Sequence, residues 1–425
     1  MNLFTLNWSK NYLLNLITTF LSQACSASLI IFLVPTLQQN FSIEEFSNYG
    51  VLLNIILFTA AFDFGLNLGL IRRLIHETEK ASVFISSTFF CFLGIFIIII
   101  PFYISCFYLN LFHTGSNYVV NALLVAVLLL QTIVAALFDI ILQSSHKIFV
   151  GKLIRIGKTI IEFLVLYTLS VNASASILLF ASSIINTAFI LVLYYYSKQA
   201  LSYSISVKYF SWKALIDHMR YSSWYFLNSI GVVFVFNSQI ILLNSFSTKA
   251  EVASYILVTR FFDVIRMGTT NFTVILFPAI AEKEANGEWN TLQKTYFRIL
   301  TLVVLLCVFI LIFLLSLGKW VFQYWSGQTS QPVMQLFTLL SVFTVLIVID
   351  NVSAVFLHAL RLNKTQTIIS IMQGCIAMIL GYFLLNKMGV IGFAFASIAA
   401  LMLTNFFYNP IFLMKQLKQR TLERL

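Results

Sequence analysis

Runs of about twenty mostly apolar residues recur along the whole chain, each long enough for a helix to cross the hydrocarbon core of a bilayer. Twelve such runs fall near residues 12–37, 45–71, 82–108, 117–142, 148–170, 174–196, 221–246, 250–280, 294–317, 331–357, 364–386 and 389–414. Backbone in hydrocarbon must satisfy its own N–H and C=O groups, so runs of this kind fold as helices. Composition agrees with the pattern. Of 425 residues, 60% are hydrophobic and 10% charged, where a soluble domain carries about 45–50% and about 25%. With 43 Phe and 18 Tyr, the chain holds more apolar surface than a soluble core can hide. The expectation is an all-α integral membrane protein of twelve transmembrane helices. No connection is long enough for a soluble domain, and the longest lies at 197–220.

The net charge of +11, from 26 Lys and Arg against 15 Asp and Glu, needs a location. Connections 2–3, 4–5, 6–7, 8–9 and 10–11 and both termini hold or adjoin nearly all the basic residues, among them Arg72, Arg73, Lys80, Lys147, Lys208, Lys213, Lys283, Arg361, Lys415, Lys418, Arg420 and Arg424. The opposite side carries only Lys249, Lys319 and Lys387. The positive-inside rule therefore places both termini in the cytoplasm. Basic residues scattered over many short loops make no patch for a nucleic acid, and none is expected as a partner. Cys25, Cys91, Cys106, Cys307 and Cys375 all sit in apolar runs without C-x-x-C spacing, and read as small apolar side chains. The first run is too long for a signal-peptide core and reads as an uncleaved span.

The chain also reads as two copies of a six-span unit. Phe41-Ser42 with Glu45 and Tyr49 returns about 205 residues later as Phe246-Ser247 with Glu251 and Tyr255. Phe180-Ala181-Ser182 in span six matches Phe395-Ala396-Ser397 in span twelve, and the same offset sets Leu142 on Leu357. The expected division is an N-terminal bundle over 1–200 and a C-terminal bundle over 201–425, with 197–220 as a cytoplasmic connection. Six spans per copy give both copies one orientation, the symmetry of transporters whose halves rock about a central site. Pro35, Pro101 and Pro278 sit in or near span ends, where they serve such motion or are merely tolerated. Gly65-x-x-x-Gly69 allows span two a close neighbour.

Charges inside the spans carry the functional signal, because an ionised side chain at the bilayer centre costs about 2.5–3.5 kcal/mol on insertion scales. Span eight carries Arg260, Asp263 and Arg266, and steps of three keep them within about a third of the helix circumference. Span five carries Lys152, Arg155, Lys158 and Glu162, of which Lys158 and Glu162 are i,i+4 neighbours. Lys152 reads as a helix-end lysine snorkelling to water, and Arg155 fits either role. Lys158, Arg260 and Arg266 lie too deep to reach water cheaply and read as lumen-facing. Asp63, one turn before Asn67, is also deep, whereas Asp139 and Asp350 lie near cytoplasmic ends and read as partners for loop cations. Cations from both copies facing a lumen suit an anionic substrate, phosphate or carboxylate, with Arg able to bind phosphate bidentately.

The N-terminal passage adds Val34-Pro35, Phe46-Ser47-Asn48-Tyr49-Gly50, and Asp63-Phe64-Gly65-Leu66 followed by Ile71-Arg72-Arg73; Phe277-Pro278 with Glu282-Lys283-Glu284 closes span eight. Over nearly its whole length the chain resembles the Wzx-type polysaccharide, or O-antigen repeat-unit, flippases of the multidrug/oligosaccharidyl-lipid/polysaccharide (MOP) exporter superfamily. The resemblance implies two six-helix bundles in a V about a cationic central lumen. It also implies a flippase, not an enzyme, in the bacterial inner membrane, moving a polyprenyl-pyrophosphate-linked oligosaccharide from the cytoplasmic to the periplasmic leaflet by ion-coupled alternating access. Arg155, Lys158, Arg260 and Arg266 would then bind substrate, and Asp63, Glu162 or Asp263 would couple an ion. No cofactor or metal is implied. The partners would be a polysaccharide polymerase and a chain-length regulator in the same membrane.

Two alternatives remain open. A multidrug exporter of the same superfamily would share fold and repeat, although cations in spans five and eight do not suit cationic drugs. A membrane polymerase or acyltransferase needs clustered acid–base groups. Here His76, His146, His218 and His358 are scattered, and His113 stands apart on the other side. Trp320, Tyr324 and Trp325, like Tyr194–Tyr196, read as interfacial aromatic belts. A lipid II flippase, another relative, usually carries two further C-terminal spans.

Overall fold

The structure, a computed structural model, describes residues 10–109, 111–112, 118–171, 173–360 and 362–422. His113, Arg361 and Arg424 lie outside the described residues, as do the side chains of Arg72, His76, Phe277, Pro278 and Glu282. The described chain is helical almost throughout: α1 Lys10–Asn40, α2 Ile43–Ala60, α3 Leu66–His76, α4 Ala81–Tyr108, α5 Tyr118–Ser144, α6 Ile148–Leu169, α7 Ala175–Ala200 and α8 Trp212–Phe236, then α9 Ser238–Phe246, α10 Lys249–Ala285, α11 Trp289–Phe313, α12 Lys319–Ser326, α13 Gln331–Ala359, α14 Asn363–Met388, α15 Val390–Leu403 and α16 Asn405–Leu422. Eight stretches are long and apolar enough to cross a membrane, nine if the bent pair α8–α9 is one span. The chain is a multi-pass membrane protein. The expected spans two, five, seven and eight are not among the eight, for two physical reasons. Spans two and seven are broken into shorter helices, and five and eight carry the intramembrane charges.

The helices divide into two compact units, Met1–Phe41 with Thr59–Phe226, and Ser42–Phe58 with Leu227–Leu425. The division does not fall at one point in the chain: most of α2 belongs to the second unit, and α8 up to Phe226 belongs to the first. In the first unit α5 is the central helix, packing on α3, α4, α6 and α7 and burying Leu128, Leu129, Leu137, Phe138 and Ile141 among others. In the second unit α13 takes that place against α10, α11, α15 and α16, with Phe337, Phe356 and Leu357 fully buried. Phe337 sits 5.0 Å from Phe322 and 5.1 Å from Phe262 by ring centroids.

The repeated Phe-Ser motif marks helix starts. Ser42 Oγ accepts the Glu45 N–H at 3.2 Å at the start of α2. At the start of α10, Glu251 Oε2 accepts the Thr248 N–H at 3.0 Å while Thr248 Oγ1 accepts the Glu251 N–H at 3.3 Å, a capping box. The connection expected at 197–220 is shorter, because α7 extends to Ala200 and α8 begins at Trp212. The segment between them is laced to α4 by serines: Ser204 N–H donates to Ser82 Oγ, Ser206 N–H to Ser86 Oγ and Ser211 N–H to Ser87 Oγ. The connection between the expected spans nine and ten, 318–330, is also largely helix. A π-helical turn over Leu314–Gly318 carries α11 into α12, and Gly327, at φ +66°, ends it. On that stretch Trp320 and Tyr324 stack on the exposed face, while Trp325 packs on Phe261 and Phe322.

Span two breaks between α2 and α3. Phe64 and Gly65 have φ of +55° and +66°, and Asp63 Oδ1 accepts the Gly65 N–H at 2.8 Å, closing the turn. A Cβ on Gly65 would lie 2.6 Å from the Ser222 carbonyl oxygen and 2.7 Å from the Phe226 nitrogen, and one on Gly69 would collide with Ser222 Oγ. The two glycines therefore let α3 approach the α8 backbone. Gly65→Ala adds left-handed strain of about 1–2 kcal/mol to that collision, and is expected to lower the melting temperature in detergent; an unchanged melt would contradict the close approach.

His218, ahead of the apolar part of α8, is 1% exposed. Its Nε2–H donates to the Leu66 carbonyl at 3.0 Å, and Nδ1 has no partner among the described residues. Burial pushes the imidazole down from 6.5 to about 4, against a raising effect of the Leu66 hydrogen bond and with a further lowering by Arg73. The folded state holds the neutral ring, so its contribution is complete above pH 6.5 and is lost as pH falls from 6.5 towards 4. Thermal stability should decline across that window, and His218→Gln should flatten the decline.

Candidate substrate-binding site

The charges of α10 sit where the sequence spacing puts them, on one face. Arg260 Nη1 donates to Asp263 Oδ2 at 3.1 Å, and Arg266 Nη2 donates to Asp263 Oδ1. Two guanidiniums thus share one carboxylate. The Arg266 guanidinium lies over the Phe236 ring, 4.2 Å from its centroid, an arrangement that suits a weakly hydrated cation.

These residues form part of the wall of a cavity of about 570 Å³ inside the second unit. Its other walls come from α2, α8, α9, α13, α14 and α16, through Asn54, Phe236, Gln239, Asp350, Gln366, Ser370, Gln373 and Asn405 among others. The α8–α9 break borders it. The two helices bend by 42°, and local side chains meet carbonyls near the break: Ser238 Oγ donates to the Phe234 carbonyl and Gln239 Nε2 to that of Val235 at 2.8 Å. Gln239 also donates to Ser397 Oγ at 2.8 Å and accepts from the Tyr255 hydroxyl. A polar seam thereby joins α9, α10 and α15.

Opposite charge enters from α13. Asp350 Oδ1 accepts from Asn409 Nδ2 at 2.8 Å, and not from a loop cation, as its place in the sequence suggests. Two arginines and two aspartates leave the cavity formally neutral, with the cations gathered on α10. Beside Asp350, Asn405 Nδ2 donates to Gln373 Oε1 at 2.5 Å and to Ser370 Oγ at 3.2 Å, and Gln366 Nε2 donates to the same Ser370 oxygen at 3.4 Å.

The other singled-out residues lie in the first unit. Arg155 Nη2 donates to Asp139 Oδ2 at 3.1 Å, and Gln143 Nε2 donates to the same oxygen at 3.1 Å. Asp139 thus serves a span-five arginine from within the bundle, a correction to its reading as a partner for loop cations. A Cβ on Gly151 would collide with Asp139 Oδ1, so the glycine makes room for this pair. Lys158 pairs with Glu162 at 3.2 Å, as the i,i+4 spacing predicts, and its ammonium lies 5.7 Å from the centroid of Phe189. Asp63 closes the α2–α3 turn. The structure therefore gathers Arg260, Asp263 and Arg266 in one cavity of the second unit and leaves Arg155, Lys158, Glu162 and Asp63 in the first. It adds Asp350, Gln239, Gln366, Gln373 and Asn405, which charge alone does not single out. Spacing does mark some of them: Gln366, Ser370 and Gln373 stand at i, i+4 and i+7, one stripe of α14.

No protein-family model matches the sequence, and no curated protein does. Solved structures do match. A multidrug resistance transporter of the MATE family, of the MOP superfamily, in an inward-facing conformation superposes with a TM-score of 0.76 over 95% of this chain and 99% of its own, at 12% identity. A MOP superfamily transporter from Pyrococcus furiosus, whose binding pocket is described as reversed in polarity, gives 0.68 over 97% and 96% at 14% identity. An outward-facing MATE multidrug resistance transporter gives 0.62 over 96% of each chain at 12% identity. The fold is that of the MOP superfamily transporters. At these identities the likeness is one of fold alone.

The shared carboxylate makes a prediction for this MOP-type fold. Removing Asp263 leaves two guanidiniums facing each other in low dielectric, and breaking such a pair costs about 3 kcal/mol, the lower end of the range because the group keeps some exposure. Asp263→Asn should destabilise the detergent-solubilised protein, and Asp263→Asn combined with Arg260→Gln should recover most of the loss. A double variant no more stable than Asp263→Asn would contradict the pairing.

Proposed function

We propose that the chain is a twelve-span transporter of the bacterial cytoplasmic membrane, with both termini cytoplasmic, that carries a polyprenyl-pyrophosphate-linked oligosaccharide from the cytoplasmic to the periplasmic leaflet. The observation that carries this reading is the pair of guanidiniums, Arg260 and Arg266, sharing a single carboxylate on a cavity wall. An anion entering there meets, on the α10 wall, two cations that share one carboxylate, while the second carboxylate of the neutral cavity, Asp350, stands on α13 with Asn409. Arg155 and Lys158, each with a carboxylate of its own, would act as secondary contacts at most.

Asp263 supplies the coupling. When it is protonated, both arginines are released to bind a pyrophosphate; when it is ionised, it competes with the substrate for them. Binding of proton and anion are then linked by one residue, and the linkage is reciprocal. Glu162 and Asp63 are less suited to this role, the first neutralising a single lysine and the second holding a turn. A polysaccharide polymerase and a chain-length regulator would take the product on the far side of the same membrane.

A second reading, a multidrug exporter, is favoured by the solved neighbours, several of which are multidrug transporters. Fold likeness supports drug export at least as well as glycan transport. What supports the glycan reading is the cavity's chemistry, together with the resemblance in the sequence. Two arginines and an amide-rich wall suit a polar anionic head group better than an apolar cation. The P. furiosus relative, with its pocket of reversed polarity, is a precedent for a change of pocket charge on this fold.

Two assays separate the readings. The wild type should restore surface polysaccharide to a flippase-null cell, and Arg260→Ala and Arg266→Ala, present in the membrane at equal level, should each lose that activity. In a drug-sensitised host the wild type should leave drug susceptibility unchanged. Drug resistance from the wild type without complementation would establish the exporter reading instead.

A further inference from the structure

The connection between α7 and α8 joins two spanning stretches, Ala175–Ala200 and the bent pair that begins at Ser222, so it lies at one membrane surface. All of it belongs to the first unit. Its backbone is bonded to Ser82, Ser86 and Ser87 in the first two turns of α4, and the Phe210 ring lies 6.3 Å from that of Phe90, one turn further along the helix. These α4 residues are themselves part of a spanning stretch, Thr78–Tyr108. The connection therefore runs alongside the end of a span and not beyond it.

Held in that way, the segment presents apolar side chains outward. Val207 is 73% exposed, Trp212 66% and Ile216, one helical turn after Trp212, 52%. Ile97 and Phe102, midway along the span α4, are exposed to a similar degree. A cluster of this kind is unfavourable in water and suits a partner that covers it. Lys208, Lys213 and Arg220 stand among these residues and are exposed. None of the three makes an ion pair among the described residues, the reverse of Arg155, Lys158, Arg260 and Arg266 within the spans. Over 197–220 the chain carries four basic residues against one acidic residue, Asp217. Apolar groups interleaved with unpaired cations match the surface of a bilayer, where acyl chains take the first and lipid phosphates the second. A soluble partner is less well matched, because a segment beside the end of a span already has lipid around it.

We propose that the α7–α8 connection is a binding site for acidic phospholipid, with Val207, Trp212 and Ile216 seated at the acyl boundary and Lys208, Lys213 and Arg220 on the phosphates. The site fastens the first unit to a leaflet that carries acidic lipid, and its grip weakens as salt screens the cations. It is independent of what the cavity in the second unit carries.

The test is native mass spectrometry of the full chain taken from nanodiscs of equimolar phosphatidylglycerol and phosphatidylcholine, counting the retained lipids of each kind. The wild type should retain phosphatidylglycerol in preference. Each cation near an acidic surface changes affinity about fivefold, so Lys208→Gln/Lys213→Gln/Arg220→Gln should lower the retained ratio of phosphatidylglycerol to phosphatidylcholine by more than about tenfold. A matched triple of exposed residues in the second unit, Lys294→Gln/Lys415→Gln/Lys418→Gln, should leave that ratio nearly unchanged. The charge-conserving Lys208→Arg/Lys213→Arg/Arg220→Lys should keep the wild-type ratio, which separates lost charge from lost structure. Lys208→Gln alone, with a loss of about fivefold, replaces the first triple if that variant does not assemble. The depth of Trp212 is read as the fluorescence difference between the wild type and Trp212→Phe. Lipid brominated high on its acyl chains should quench that difference, and aqueous iodide should not. No preference for phosphatidylglycerol in the wild type overturns the proposal, and so does an equal loss in the two glutamine triples. Quenching by iodide and not by brominated lipid, as a face left open for a soluble protein would give, also overturns it.

Discussion

An ionised side chain in hydrocarbon is tolerated only if something answers its charge, and the arrangement of this molecule's polar interior follows from how that demand is met. Arg155, Lys158, Arg260 and Arg266 each have a carboxylate within hydrogen-bonding reach. In the first unit the ratio is one to one: Arg155 with Asp139 at 3.1 Å and Lys158 with Glu162 at 3.2 Å. In the second it is two to one, with Arg260 and Arg266 both on Asp263. A matched pair is finished chemistry, since a passing anion gains little from a cation already neutralised. The unmatched cluster still has attraction to offer, and it lies on a cavity wall.

The same rule governs backbone. Where the helices break, local groups take up polar atoms near the break: Asp63 at the α2–α3 turn, Ser238 and Gln239 at the α8–α9 bend. The second break borders the cavity and turns Gln239 into contact with Tyr255 and Ser397, so a device that permits a bend also builds the site's polar seam. Polar residues of α13, α14 and α16 complete it. Within this fold, then, the cavity's polar wall is assembled from irregular backbone and charged helix faces, the features that lower a span's apolar score.

That explains what was legible in the sequence. Eight of the expected spans are long and nearly free of charge over a full crossing length, and hydropathy finds them even where span nine passes through a π-helical turn and span twelve breaks at Thr404. The other four are interrupted or charged, so the residues that make them interesting also blur them. Local geometry could be read directly, because steps of three and four on a helix fix neighbours: Arg260, Asp263 and Arg266, or Lys158 and Glu162. Pairings between helices could not. Asp139 meets Arg155, and Asp350 meets Asn409, only because particular helices pack together, and no local period encodes that. The amide wall was half visible as a polar stripe on α14, but its partner Asn405 comes from another helix.

The central claim is that the two-to-one cluster, and not the matched pairs, holds the anionic part of the substrate. Native mass spectrometry of the purified protein with citronellyl pyrophosphate measures this most directly, by counting retained ligand. The account predicts one bound molecule in the wild type, its loss in the Arg260→Ala/Arg266→Ala double variant, and its retention in Arg155→Ala/Lys158→Ala. Retention in the first variant, or equal loss in both, would contradict it.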